Sequence, residues 1–325
     1  MDDPMTAVID QFVAANRAAY NADCVEFMRT MIPANSVGYS IFSPPYSNLF
    51  VYSNSDRDIG NCRSDEEFHT HFKYVIDGLM RVLMPGRNVS VDVMNLPAMK
   101  SRDGYIGIKD FRGSVIEAFI QAGFIYHSEH VIWKDPLIEA TRTKAIGLMH
   151  KQLCKDSALS RAGLPQYLLT FRKPGDNAQP VAHENGLTSF VGEDEPLEGN
   201  LSHNRWRRYA SPVWMDIRTT RTLNYRGGRD DEDERHICPM TLDIIERGIE
   251  LWSNPGDVVY DPFGGIGSTV FAACNMRRKG IMTELKPSYF SMAVNNLKSS
   301  RMFFDNTTLE IFEAFDDQPG CTEIK

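Results

Sequence analysis

The chain has 325 residues, with 35 Lys and Arg against 43 Asp and Glu and a formal net charge of −8. Its 42% hydrophobic and 24% charged content is that of an ordinary globular protein, which excludes a collagen-like, coiled-coil or wholly disordered chain. The length fits one large domain or two smaller ones, and the acidity argues against a surface coated all over by nucleic acid while leaving local patches open.

From the N-terminus, Met1-Asp2-Asp3-Pro4 has neither the basic nor the apolar region of a signal peptide, and no run reaches the ~18 apolar residues of a membrane span. Val37–Phe42 predicts a buried strand stopped by Ser43-Pro44-Pro45. Phe68, Phe72, Val75, Leu79 and Leu83 fall at helical spacing, and Pro85-Gly86 ends that helix. A strand is predicted over Asn88–Val93, a helix over Ser114–Phe124 and a strand over His130–Trp133. Residues 136–164 are helical in pattern and basic. Tyr167–Phe171 predicts another strand, after which 174–235 is polar and rich in turn formers. The last elements are a strand over Asp257–Asp261, a glycine-rich turn with its helix, a strand over Lys279–Glu284 and a helix near Ser288–Ser299; the tail beyond Asp305 is polar. Strands alternating with helices imply a doubly wound α/β sheet. Six cysteines (Cys24, Cys62, Cys154, Cys238, Cys274, Cys321) show no C-x-x-C pair, as expected for reduced thiols in a cytoplasmic protein.

Asp261-Pro-Phe-Gly-Gly-Ile-Gly-Ser-Thr269 lies between a predicted strand and helix, where glycines let the backbone approach a ligand. Glu284 follows Gly264 by twenty residues, the offset at which an acid accepts hydrogen bonds from ribose hydroxyls. A tight strand–helix turn alone explains many such glycines, but the strand, turn, helix and acid together favour a nucleotide site. Val270 breaks the dinucleotide fingerprint that starts at Gly265, and no G-K-[ST] follows. A ligand with ribose and no phosphate fits, and S-adenosylmethionine is one.

Ser43-Pro44-Pro45-Tyr46 reads either as a strand-ending turn or as a catalytic one. The amine of cytosine or adenine is a poor nucleophile because its lone pair is delocalised into the ring. Acceptors from the Ser43 side chain and the Pro44 carbonyl would draw its hydrogens and stabilise charge that develops in the transition state. Proline fixes φ and carries no competing N–H, and Tyr46 offers a ring to stack on an extruded base.

The two motifs together resemble the DNA amino-methyltransferases that modify adenine N6 or cytosine N4, and their order is similar to the permuted beta group. Asn21-Ala22-Asp23-Cys24 is similar to that family's segment ahead of the catalytic turn, with Ala22 where glycine is usual; the resemblance implies that Asp23 contacts the cofactor's adenine. His236-Ile-Cys-Pro239 and Trp252–Asp257 are similar to the segment at the methionine end. His130–Lys134 and Tyr167–Lys173 are similar to later strands of the family sheet. The implied cofactor set is Asp23, His236, Pro239, Asp261, Phe263, Gly264, Gly265, Gly267, Ser268, Thr269 and Glu284, and the implied catalytic set is Ser43, Pro44, Pro45 and Tyr46. The implied fold is a seven-stranded sheet with helices on both faces and the two turns on adjacent central strands.

Two basic clusters interrupt these motifs. Between residues 201 and 229 stand Arg205, Arg207, Arg208, Arg218, Arg221, Arg226 and Arg229 against Asp216 alone, interleaved with Trp206, Tyr209, Trp214 and Tyr225. Between 141 and 173 stand Arg142, Lys144, Lys151, Lys155, Arg161, Arg172 and Lys173 against Asp156. Each reads as a solvated face or as phosphate and base contacts, and the pair favours DNA. The acidic run Asp230–Glu234 reads as an exposed loop. Residues 47–65 read as a loop over an extruded base, with Phe50 and Tyr52 as wedges, or as an ordinary surface loop. His69 and His71 lack a third metal ligand at a suitable spacing.

The expected organisation is a catalytic half over 1–134, a basic helical insert over 135–165, a sheet strand over 166–174, a target-recognition region over 175–235, a cofactor-binding half over 236–305 and a polar tail over 306–325. The expected protein is a site-specific methyltransferase of double-stranded DNA using S-adenosylmethionine, of the kind found in restriction–modification, with cytosine N4 favoured over adenine N6. That preference rests on Ser43, since members of the resembled family with aspartate there mostly modify adenine. The alternatives are a methyltransferase of RNA or of a protein amide, a DNA-binding protein without catalysis, and a nicotinamide dehydrogenase, which Val270 disfavours. The resemblance also implies a homodimer.

Overall fold

The computed structural model describes residues 8–46, 58–62, 64–98, 100–143, 150–159, 162–183, 186–187, 201–224 and 239–300. The chain opens with β1 (Val8–Ala14), β2 (Arg17–Ala22) and α1 (Cys24–Thr30), then β3 (Tyr39–Phe42), α2 (Asp65–Val82) and β4 (Asn88–Met94). A small hairpin of β5 (Leu96–Ala98) and β6 (Gly107–Lys109) encloses α3 (Lys100–Asp103). Then come α4 (Phe111–Gln121), β7 (Ile125–Ile132), α5 (Pro136–Thr143), α6 (His150–Leu153) and β8 (Gln166–Arg172). The last described part holds α7 (Leu201–Tyr209), β9 (Val213–Trp214), α8 (Leu242–Trp252), β10 (Val258–Asp261), α9 (Ser268–Asn275), β11 (Lys279–Glu284) and α10 (Pro287–Lys298).

Nine strands form one sheet in the order β1-β2-β11-β10-β3-β4-β8-β7-β9. The stretch from β2 to β4 is parallel, while β8 runs against both its neighbours and β1 runs against β2. The seven strands from β2 to β7 are the expected sheet, and β1 and β9 extend it at its edges. All four residues of β3 and all four of β10 are buried, as parallel strands covered on both faces require.

Helices cover both faces. On one, Phe27 and Met28 of α1, Phe68, Phe72, Val75 and Leu79 of α2, and Val115 and Phe119 of α4 pack on Val89, Val91 and Val93 of β4. On the other, Ile244, Ile245 and Ile249 of α8 and Ala272 and Ala273 of α9 pack on Tyr39, Ile41 and Val259. α2 starts where Ser64 caps the Glu67 amide at 3.1 Å, carries Asp65, Glu66 and Glu67 in its first turn and Arg81 in its last, and so suits the helix dipole at both ends. α4 starts three residues before the expected helix because Asp110 caps the Gly113 amide at 2.9 Å.

The first strands stand beside the last one: β2 pairs in parallel with β11 from Arg17–Gly280 to Asn21–Glu284. A division of the chain at residue 134 is therefore not a division of the sheet. No helix among the described residues is long and apolar enough to cross a membrane.

Candidate active site

β10 and β3 are hydrogen-bonded neighbours, with Val259 opposite Tyr39 and Tyr260 opposite Ser40. The glycine turn and the proline turn therefore leave the same end of the sheet side by side, although their residues lie far apart in sequence.

The glycine turn is braced from every side. The Phe263 amide donates to Asp261 Oδ1 at 2.9 Å, the Gly264 amide to the Thr283 carbonyl at 2.9 Å, and the Gly265 amide to Glu284 Oε2 at 2.8 Å. The other Glu284 oxygen accepts the Lys286 amide at 2.8 Å, and Asn296 Nδ2 donates to the Ile266 carbonyl at 2.9 Å. Thr269 Oγ1 donates to Asp261 Oδ2 at 2.6 Å and lies 3.4 Å from the Ile41 carbonyl of β3, next to the proline turn. Ser268 begins α9 behind this turn.

Two glycines are required there. Gly267 has φ +87 at the start of α9, a left-handed conformation that side chains disfavour. A Cβ on Gly264 would stand 2.7 Å from the Met282 Cβ, so the backbone passes flush over β11 and leaves no room for a side chain.

Burial lifts both acids of this turn to about 7, against the hydrogen bonds of Thr269 and Phe263 for Asp261 and those of Lys286 and Gly265 for Glu284. Asp23 caps α1 through the Glu26 amide at 2.9 Å. Its charge adds to the burial that raises the Cys24 thiol and the Tyr260 hydroxyl, and the Glu284 charge also raises Cys24, so Asp23 and Glu284 both lie near the start of α1. Two further residues here were not in the expected cofactor set. Asn21 Nδ2 donates to the Glu284 carbonyl at 2.7 Å and holds the end of β11. Asp58 caps Gly60 at 2.9 Å, and its charge raises the Glu284 carboxyl.

The proline turn is held more lightly. Ser43 Oγ donates to the Asp92 carbonyl of β4 at 3.0 Å. That bond uses the only hydroxyl proton, so the remaining lone pairs of Ser43 can accept. Pro44 is buried and Pro45 half-buried, and the Tyr46 ring lies 5.7 Å from the Phe111 ring. Phe42 and Phe263, one from each strand–turn junction, have ring centroids 5.6 Å apart. Beneath Ser43 the Asp92 carboxylate accepts from Gln166 Nε2 at 2.7 and 2.6 Å. Burial pushes it up to about 7, against the Gln166 bond and the Lys134 charge. Sequence reasoning missed Asp92 and Gln166 because two residues on antiparallel strands, far apart in the chain, show no local pattern.

The arginines divide. Arg205 is only 5% exposed and lies 3.5 Å from Glu250 of α8, so the expectation of a surface cation fails there: its charge is spent inside the fold. Arg218 takes Asp243 in a two-pronged grip at 3.0 and 2.9 Å, and Arg221 reaches Asp243 at 2.7 Å and Glu246 at 2.5 and 2.7 Å. Burial raises the Asp243 carboxyl, but these arginines outweigh it and hold it below the ordinary carboxylate range. Arg207 is exposed and Arg208 half-buried on α7. Pro239 is half-buried ahead of α8. His236, Lys144, Arg226, Arg229, Tyr225, Phe50 and Tyr52, together with the side chains of Arg142 and Lys151, lie outside the described residues.

Residues 37–295 match the family model described as DNA methylase. The orphan methyltransferase M.BamHII of Bacillus amyloliquefaciens is 43% identical over 276 residues, covering 84% of this chain and 92% of its own. Among solved structures, a DNA modification methylase of Thermus thermophilus, complexed with S-adenosyl-L-methionine, superposes with a TM-score of 0.57 at 22% identity, covering 88% of this chain and 97% of its own. The cytosine-N4-specific PvuII DNA methyltransferase superposes with a TM-score of 0.54 at 18% identity, covering 94% and 92%.

Proposed function

The chain belongs to the DNA methylase family whose model spans residues 37–295, and on that premise we propose that it methylates an exocyclic amine of a base in double-stranded DNA, cytosine N4 in preference to adenine N6. The donor is S-adenosylmethionine, which supplies when bound an electrophilic methyl group on a sulfonium. The glycine turn suits it: without side chains at Gly264 and Gly267 the backbone lies flush on β11 and turns sharply into α9, and Glu284 keeps lone pairs for ribose hydroxyls beside those its two amides use. Asp23, Asp261, Phe263, Gly265, Gly267, Ser268 and Thr269 shape the same pocket, with Pro239 and His236 assigned to its methionine end.

One observation carries the catalytic reading: the Ser43 hydroxyl, beside the glycine turn, has its proton committed to the Asp92 carbonyl. Ser43 therefore meets an amine as an acceptor. The Ser43 oxygen and the Pro44 carbonyl take the two amine hydrogens and draw the nitrogen lone pair out of the ring toward the methyl group. Tyr46 stacks on the extruded base. With the donor bound, a nitrogen–methyl bond would form as the sulfur–methyl bond broke, and the surplus proton would leave the nitrogen to water. The basic segments, through Arg207, Arg208, Arg142, Lys144 and Lys151, hold the duplex, whereas Arg218 and Arg221 serve the fold through Asp243 and Glu246. The protein is expected to act as a homodimer, which light scattering on the purified protein checks.

The test is methyl incorporation from labelled donor into duplex DNA, RNA and protein, followed by nucleoside analysis of the product. N4-methylcytosine is the expected product. N6-methyladenine would correct the base, and label in RNA or protein alone would overturn the substrate class.

A further inference from the structure

The β5–β6 hairpin stands on the two segments that bear on the proline turn. One foot follows β4 and starts at Leu96, four residues beyond Asp92, whose carbonyl accepts the Ser43 proton. The other runs into α4, whose first residue, Phe111, lies against Tyr46. Asn95 Oδ1 accepts the Arg112 amide at 2.9 Å and ties the feet together. The pairs Leu96–Lys109, Pro97–Ile108 and Ala98–Gly107 zip the strands. Lys109 Nζ bridges to Asp103 at 2.9 Å and closes the loop. The hairpin is thus a preformed projection beside the catalytic turn.

Its inward face is buried at Leu96 and Ala98, while its outward face is apolar and wet: Tyr105 is 51% exposed, Ile106 39% and Ile108 47%. The Tyr105 ring lies over Gly107, where a Cβ would meet it at 3.1 Å, so the ring is carried by the hairpin itself. Isolated exposed apolar residues are ordinary, but three within four positions beside a site are not scattered. Residues 96–109 also carry Lys100, Arg102 and Lys109 against Asp103 alone, a positive balance in an acidic chain. Apolar side chains on a cationic projection match what a duplex offers where a base has left: phosphates outside, an unstacked step within.

We propose that the β5–β6 hairpin enters the duplex at the target base pair, with Tyr105 and Ile106 filling the space left by the base that turns toward Ser43. The inference rests on the methyltransferase reading and adds to it the element that keeps the base out. Extrusion from an intact pair needs such a filler, whereas a pair already broken needs it less.

The experiment uses the full-length protein with an unmodified duplex carrying its mapped methylation site for rates, and a copy with 2-aminopurine in place of the target base for fluorescence. A second duplex has an abasic position opposite the target. Tyr105→Ser/Ile106→Ser replaces exposed side chains, and thermal melting checks that it folds. The expected result is loss of the fluorescence gain and a methylation rate about tenfold lower on the intact duplex, with less than a twofold change on the abasic-partner duplex and in cofactor affinity. Equal rates for wild type and variant, or an equal fall on both duplexes, would overturn the role of the hairpin while leaving the methyltransferase reading intact. A wild type that methylates no duplex would remove both.

Discussion

The turns that follow β10 and β3 sit on neighbouring strands and are built on opposite plans. The β10 turn is rich in N–H donors, and its amides are anchored on Asp261, Thr283 and Glu284. The β3 turn has two prolines without donors and a serine whose single proton is already given to β4. On the proposed reading the first acts by its shape and the second by the aim of its acceptors. Damage to the first should therefore appear in affinity, and damage to the second in turnover.

The largest effect should come from Ser43→Ala. Removing one aimed partner of a transition state costs about a hundredfold in turnover, and we expect that loss with the S-adenosylmethionine affinity unchanged within about twofold. Single-turnover methylation and calorimetry measure the two quantities. A parallel loss of affinity would break the separation of roles.

Gly264→Ala tests the other side. Its Cβ would stand 2.7 Å from that of Met282, so β11 and the turn must part. Overpacking of this kind costs about 1–3 kcal/mol. We expect donor affinity to fall by about tenfold or more, with turnover at saturating donor largely kept.

A smaller effect should follow pH. Asp261 and Glu284 are raised by burial to about 7. The folded protein thus holds protons that the unfolded chain releases from about pH 4 upward. The unfolded state binds fewer protons across that window, so the stability of the ligand-free protein should fall as pH rises from about 4 to about 7. A cationic donor favours the ionised carboxylates, so its affinity should rise as pH climbs through about 7, by up to about tenfold per unit below it. Glu284→Gln should flatten much of that rise in calorimetric titrations. A wild-type affinity independent of pH would show that these acids do not meet the donor's charge.

The same contrast explains what the sequence made legible. The glycine turn between β10 and α9, Glu284 at the end of β11 and the proline turn that ends β3 are local patterns, and their places in the fold were readable. β2 was not: Arg17-Ala-Ala-Tyr-Asn-Ala has no β-branched residue and no alternation, and it becomes a wholly buried strand only through its pairing with β11. Asp92 and Gln166 meet across an antiparallel pair that no spacing announces. The arginines show a third failure. Composition counts charges but does not say which are already neutralised, and Arg205 was counted as a surface cation although Glu250 holds it inside.

The smallest expected effects carry the contrast between braced and presented groups to the arginines. Arg207 is exposed on α7, whereas Arg221 is engaged by Asp243 and Glu246. If the exposed guanidinium meets a phosphate, Arg207→Ala should weaken binding to all duplex sequences alike and lower the slope of log affinity against log salt by about one. Melting temperature should barely move. Arg221→Ala should do the reverse, leaving the salt slope nearly unchanged and lowering stability by about 1 kcal/mol or less, as partly exposed ion pairs do. A salt slope that falls with Arg221 and not with Arg207 would mean that the duplex displaces the Asp243 and Glu246 carboxylates when it docks. The bracing at α8 would then be a resting arrangement that DNA opens, and the distinction between held and presented groups would stop at the two turns.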